Sequence, residues 1–459
     1  MSKLARANYL NYSAVNPPQY SMDQVKIGVL HMGLGAFHRA HQAVFFDRLL
    51  RSGNLNYGIC GVSQRSSTVA DSMNAQDCLY TVNAQDGQAS TPTIIGALRE
   101  ARYFPRDLER ILEIARSPDL KMITLTVSEK AYRSDDASQL PQRLVTILRA
   151  RYESGLPGIA VISCDNLPSN GAFTRKIILD VITEKSSGFF EWANTQIRFP
   201  NSMVDRIVPA ITSKSIDDFE QRYGYRDDSL ISTEPYNEWV IEDDALSQDL
   251  TPAGIRFVPR VAPYELTKIR LFNGNHSTLA YISQLCGIEY VHEAIIDSAI
   301  APFVSRLQEE ELGLSFKPPH DIDLKEYART VRKRVSNPTL LHRAEQIAMD
   351  GSQKLPQRLF SPANDLLQLG LPTQRISLAI AAWLHFLATK DQVNDPLADQ
   401  LQPLARLSEP MSAVSQTLGF AQLATKVNPA LFPMIAAWLE KLRSTPIKEV
   451  LIELERGSV

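Results

Sequence analysis

The chain has 459 residues, 44% of them hydrophobic and 22% charged, with a formal net charge of -3. This is the composition of a globular protein; it argues against a disordered tail or a fibre, and nothing in the charge balance points to a nucleic-acid partner. No run approaches the roughly 20 apolar residues that a membrane helix needs, and residues 1–16 lack the continuous apolar core of a secretory signal. A cytoplasmic protein with no membrane association is therefore expected. Cys60, Cys78, Cys164 and Cys286 are far apart in the sequence, and no disulfide framework is predicted.

In chain order, the apolar run Val25 to Met32 reads as a strand ending at Gly33, and Ala36 to Arg51 reads as the helix that follows. Further strands are predicted at Tyr57 to Val62, Met122 to Val127 and Gly158 to Ser163, with helices at Asp107 to Ala115 and Gln142 to Ser154. This alternation implies an α/β fold with a mostly parallel, doubly wound, Rossmann-like sheet. Ile255 to Val261 is read as a last strand. Beyond it the pattern is helical, over Tyr264 to Leu285, Ile376 to Thr389 and Pro433 to Glu455, with a Pro-containing surface loop at Leu314 to Ile322. The expected organisation is a dinucleotide-binding domain over 1–260 and a mainly α-helical C-terminal domain over 261–459, with no internal repeat.

The sequence Gly33-Leu34-Gly35-Ala36-Phe37-His38 joins the first strand to the first helix. Backbone N–H groups exposed there can receive a pyrophosphate, and the two glycines allow a tight turn and close backbone approach. His38 stands where a third small residue is usual. At the end of the second predicted strand, Ser63, Gln64 and Arg65 replace the acid that usually reads the adenosine ribose. Arg65 can pair with the 2′-phosphate of NADP or be an ordinary solvated charge. The cofactor is therefore read as NAD or NADP, with NAD slightly favoured.

The segment Tyr264 to His276 concentrates polar groups. On a regular helix turning by about 100° per residue, Lys268, Glu265, His276 and Asn273 fall within an arc of roughly 140°, among apolar neighbours. Alcohol oxidation by hydride transfer needs a base for the hydroxyl proton and donors for the developing alkoxide. A desolvated lysine is such a base, because burial favours its neutral form. The alternative is an Asn273-Gly274 turn beside a solvated Lys268–Glu265 pair. Two other groups lie where ligands of parallel sheets bind or within apolar sequence: Asn166, just past the strand ending at Ser163, and Asp205, for which a local salt bridge with Arg206 is the alternative. His38 and His41 have a spacing that could hold zinc, but no nearby cysteine or carboxylate pattern completes such a site, and no metal is expected.

Together Gly33 to His41, Val127-Ser128-Glu129-Lys130, Cys164-Asp165-Asn166, Met203 to Ile207 and Lys268-x4-Asn273-x2-His276 resemble the polyol-specific long-chain dehydrogenases. That family includes mannitol 2-dehydrogenases and fructuronate reductases. The resemblance implies Lys268 as general base, Asn166 and Asn273 as donors to the reacting oxygen, and His276 as the residue orienting substrate and lysine. It further implies Glu265 as a proton relay and Asp205 as a supporting carboxylate, without metal. Glu129 is counted with Gly33, Gly35, Ala36, Phe37, His38, Gln64 and Arg65 as cofactor-binding, although Ser128 departs from the family's commoner threonine and the segment has no assigned role.

Gln346 to Arg358 is similar to the family's substrate-contacting stretch, with Lys354 matching a substrate contact. Gln346 and Met349 stand where mannitol dehydrogenases have Arg and His, which is closer to the fructuronate reductase branch. Lys354 and Arg358 could bind a carboxylate, or be surface charges. The expected substrate is a small polyol or hexuronate: D-mannonate with D-fructuronate, or D-mannitol with D-fructose, with arabinitol, sorbitol or tagaturonate as alternatives. The other reading is a non-catalytic nucleotide sensor on the same fold. A monomer or small homo-oligomer is expected.

Overall fold

The apolar run after Val25 forms strand β1 (Ile27–Met32), whose alternation sends Val29 to one apolar layer and Leu30 and Met32 to the other. Strands β2 (Gly58–Ser63), β3 (Leu98–Tyr103), β4 (Met122–Leu125) and β5 (Ala160–Ser163) lie parallel to it in the order β3-β2-β1-β4-β5. The order reverses beside β1, at the switch point where such sheets bind dinucleotides. Ile59, Met122 and Ile162 pack with Val29, while Val62, Ile123 and Val161 pack with Leu30. Burial on both faces is why these strands read as continuous apolar runs.

The structure is a computed structural model, described over residues 2–87, 89–127, 132, 140–423 and 426–457. It divides into two compact units, Met1–Ala262 and Pro263–Val459. Among the described residues no helix is long and apolar enough to cross a membrane.

Two predicted elements of the first unit differ from those observed, and one pair of strands was not predicted. The helix expected over Ala36 to Arg51 is two, α1 (Ala36–Ala40) and α2 (Gln42–Arg51), broken at His41 with φ -115° and ψ -87°. The carbonyls near the break still have partners: the Tyr80 hydroxyl donates to Arg39 O at 2.8 Å, and the Arg206 guanidinium donates to Ala40 O. Between β2 and β3 the chain inserts an antiparallel pair, Tyr80–Gln85 with Ser90–Ile95, that a simple strand and helix alternation omits. The strand expected over Ile255 to Val261 is only Arg256–Phe257, at the edge of a small sheet with Glu238–Ile241 and Ser202–Asp205, outside the main sheet.

All regular elements of the second unit are helical among the described residues. Its buried helix Gln374–Thr389 packs against Phe432–Ser444 and Asn275–Cys286. The helix expected over Pro433 to Glu455 is two, because Pro446, which has no N–H to donate, separates Phe432–Ser444 from Ile447–Glu455.

Candidate active site

In the first unit the β1–α1 turn is fixed from below. Gly33 has φ +109°, and a Cβ there would lie 1.9 Å from the Thr126 carbonyl oxygen, so the fold itself requires glycine. Gly35 differs: a Cβ would meet nothing within 4 Å, so packing within the chain does not require glycine there and the space above the turn is open. Buried His31 holds the turn to β4, its Nε2 donating to Gly33 O at 3.1 Å and its Nδ1 2.7 Å from Thr124 Oγ1. Burial lowers its pKa to about 3, so the ring is neutral.

Ala36 and Phe37 open α1 beside this space, and a dinucleotide pyrophosphate fits a glycine turn of this form. His38, counted with the cofactor-binding residues, turns its ring inward instead. It is 0% exposed and stacks on His31 with centroids 3.4 Å apart. His41 Nε2 donates to Glu238 O at 2.8 Å. Among the described residues no group of three or more His, Cys, Asp or Glu could hold a metal ion.

Gln64 and Arg65 follow β2, with Gln64 half-buried and Arg65 exposed. Glu129, with Ser128 and Lys130, lies outside the described residues. Asn166 is exposed on the loop after β5, and its neighbour Asp165 braces that loop by accepting from Val127 N at 3.0 Å and the Tyr132 hydroxyl at 2.6 Å. Asn170 Nδ2 adds bonds to Ser163 O at 3.0 Å and Ser202 O at 2.8 Å. Asp205 ends Ser202–Asp205 at 1% exposure, opposite Glu238 in the register. The Arg206 guanidinium donates to the carbonyls of Glu234, at 3.1 and 2.7 Å, and of Ala40.

In the second unit the expected helix over Tyr264 to Leu285 is regular only to Thr267; Lys268–Gly274 is a π-helix, and Asn275–Cys286 is α again. The roughly 140° arc of a regular helix therefore does not describe this segment. Bonding from i to i+5 brings residues five apart over one another, so Lys268 and Asn273 share a face more closely than in an α-helix. Lys268 is 5% exposed, Asn273 8% and His276 8%, which removes both the solvated-pair and the turn alternatives. Glu265 is half-buried one turn before Lys268.

Packing explains the wide turn. Gly274 lies against a second π segment, Pro356–Phe360, where a Cβ would come within 2.7 Å of Arg358 O. Gln308, from a third π segment at Leu307–Glu311, donates to Leu271 O at 2.8 Å. Arg270 binds Ser315 Oγ at 2.8 Å and pairs with Asp365.

His276 stacks on Phe272, centroids 5.2 Å apart, and meets His342 edge-on at 5.0 Å. Arg334 lies 4.7 Å from the Phe272 ring centroid. Burial, then His342, Arg358, Arg334 and Lys354, hold the His276 pKa well below its usual value. Arg358 donates to Ser277 Oγ at 2.9 Å and Lys354 to Met349 O at 2.7 Å, so neither is a merely solvated charge. Gln346 is exposed and makes no side-chain hydrogen bond among the described residues. The sequence reading missed Asp165, Asn170, Arg334 and His342; of these only Asp165, within the Cys164-Asp165-Asn166 motif, carried a usable signal.

Residues 27–252 match the mannitol dehydrogenase Rossmann domain and residues 260–443 the mannitol dehydrogenase C-terminal domain. The D-mannonate oxidoreductase of Escherichia coli K12 is 34% identical over 88% of this chain and 90% of its own length. The mannitol 2-dehydrogenase of Phaeosphaeria nodorum is 31% identical over 90% of this chain and 78% of its own. Among solved structures, the Pseudomonas fluorescens mannitol 2-dehydrogenase ternary complex with NAD and D-mannitol superposes with a TM-score of 0.87 and 27% identity, covering 99% of both chains. On this evidence the chain belongs to the mannitol dehydrogenase family.

Proposed function

We propose that this oxidoreductase interconverts a secondary alcohol of a linear polyol or sugar acid with the corresponding keto sugar, using a nicotinamide cofactor and Lys268 as general base. The observation that carries the proposal is the π-helix, which brings buried Lys268 and Asn273 onto one face. A nicotinamide cofactor, held at the turn of Gly33, Gly35, Ala36 and Phe37, would supply the hydride acceptor for the carbinol carbon. Lys268, as the free amine, takes the hydroxyl proton at Nζ, and half-buried Glu265 returns it to solvent. Asn273 donates to the oxygen as it gains negative charge. Neutral His276 orients the substrate through its ring nitrogens. The family resemblance gives Asn166 a second donor role and Asp205 a supporting one.

The sugar-acid pair D-mannonate and D-fructuronate is favoured over D-mannitol and D-fructose. The electrostatic neighbours of His276 include Arg334, Arg358 and Lys354, cations suited to a carboxylate, and the D-mannonate oxidoreductase is a relative over most of both chains. The test is a panel of mannitol, sorbitol, arabinitol, fructose, fructuronate and tagaturonate with the wild type and Lys268→Ala. Fructuronate should be reduced fastest, and the variant should lose turnover by a factor of 1,000 or more while still binding nucleotide. Turnover like that of the wild type in the variant refutes the base assignment.

A further inference from the structure

Resting on the nicotinamide reading above, we propose that the adenosine end of the first unit takes a 2′-phosphate, held by Arg65 and Arg143, so that the preferred cofactor is NADP(H). In sheets of this order the adenosine ribose is read at the end of the second strand, and an acid there repels a 2′-phosphate. Here β2 ends at Ser63 and is followed by Gln64 and Arg65, with no acid in that stretch.

The structure adds a second cation that is distant in sequence. Arg143, on helix α3 (Leu140–Glu153), donates through Nη1 to Gln64 O at 3.0 Å and to Gln64 Oε1 at 3.2 Å. Its guanidinium lies 4.8 Å from the Phe104 ring centroid, and Phe104 N donates to Ser63 O at 3.0 Å. One corner thus joins the end of β2, the residue after β3 and α3. Nε and Nη2 of Arg143 stand outside these bonds, leaving donors of a guanidinium fork, the group best shaped for a phosphate.

The nearby carboxylates are already matched. Arg106 pairs with Asp71 at 2.9 Å and Asp107 at 3.1 Å, and Glu100 pairs with Arg102 and Arg110, both at 2.6 Å. Among the described residues no carboxylate pairs with Arg65 or Arg143, so this end of the sheet carries two positive charges. Ser66 Oγ and Thr68 Oγ1, 2.7 Å apart on the exposed turn after Arg65, add hydroxyl donors.

Direct titration calorimetry tests this with NADH, NADPH, ADP and adenosine 2′,5′-bisphosphate on the full chain. The expected result is NADPH binding at least tenfold tighter than NADH, and adenosine 2′,5′-bisphosphate tighter than ADP. Arg143→Gln and Arg65→Gln should each weaken NADPH by about tenfold to a hundredfold, the range of a charge-assisted bond, and NADH far less. Arg65 is exposed, so its variant folds whatever becomes of the Arg143 contact. NADH binding as tightly as NADPH, or both variants weakening the two nucleotides equally, overturns the proposal. Failure of the wild type to bind either nucleotide would instead overturn the nicotinamide reading on which it rests.

Discussion

The rings of His276 and His342 meet edge to face with centroids 5.0 Å apart, and burial keeps both neutral. The His342 pKa is lowered to about 4, whereas in the unfolded chain a histidine takes up its proton near pH 6.5. Between those values the unfolded state holds more protons, so stability falls as pH drops, by up to about 1.4 kcal/mol per pH unit for each such histidine. His31, lowered to about 3, acts in the same direction. Denaturant midpoints should decline from pH 7 to pH 4, and His342→Gln should flatten that decline; an unchanged slope in the variant contradicts the assignment.

The two glycines of the β1–α1 turn separate folding from binding. Gly33→Ala should prevent folding or cost several kcal/mol, because its Cβ would sit 1.9 Å from a backbone oxygen at positive φ. Gly35→Ala should leave the melting temperature within a few degrees of the wild type, since no atom lies within 4 Å, yet weaken nucleotide binding by tenfold or more. Thermal melts with and without cofactor distinguish the two effects.

Gly274 tests the link between the wide turn and catalysis. A methyl group there would press to within 2.7 Å of Arg358 O, and Gly274→Ala should destabilise the second unit by roughly 1 to 3 kcal/mol. Because the displaced segment carries Lys268 and Asn273, kcat should fall by more than the loss of folded protein explains. A stable variant with unchanged kcat would show that this contact does not hold the turn.

Some of this was legible in the sequence and some was not, for identifiable reasons. The runs around Val29 and Ile123 announced strands because both faces of the sheet are covered, so every position is apolar. The break at His41 was hidden, since its neighbours are all helix-compatible and what stabilises it comes from Tyr80 and Arg206. The π-helix was hidden for the same reason: its supports, Gln308 and the Arg358 carbonyl, are distant in sequence. Lys268, Asn273 and His276 were visible by their spacing, whereas Arg143 and His342 sit in unremarkable sequence and gain meaning only from what the fold sets beside them.

A turn closed from i to i+5 holds one residue more than a regular helical turn would. In Lys268–Gly274 that surplus residue works like an added link in a gear chain, setting the phase of everything downstream. Shortening the segment by one residue would let the helix relax to ordinary winding and keep its apolar face, but Lys268 and Asn273 would rotate apart. On the proposed roles of Lys268 and Asn273, a single deletion that leaves the helix whole should therefore abolish turnover.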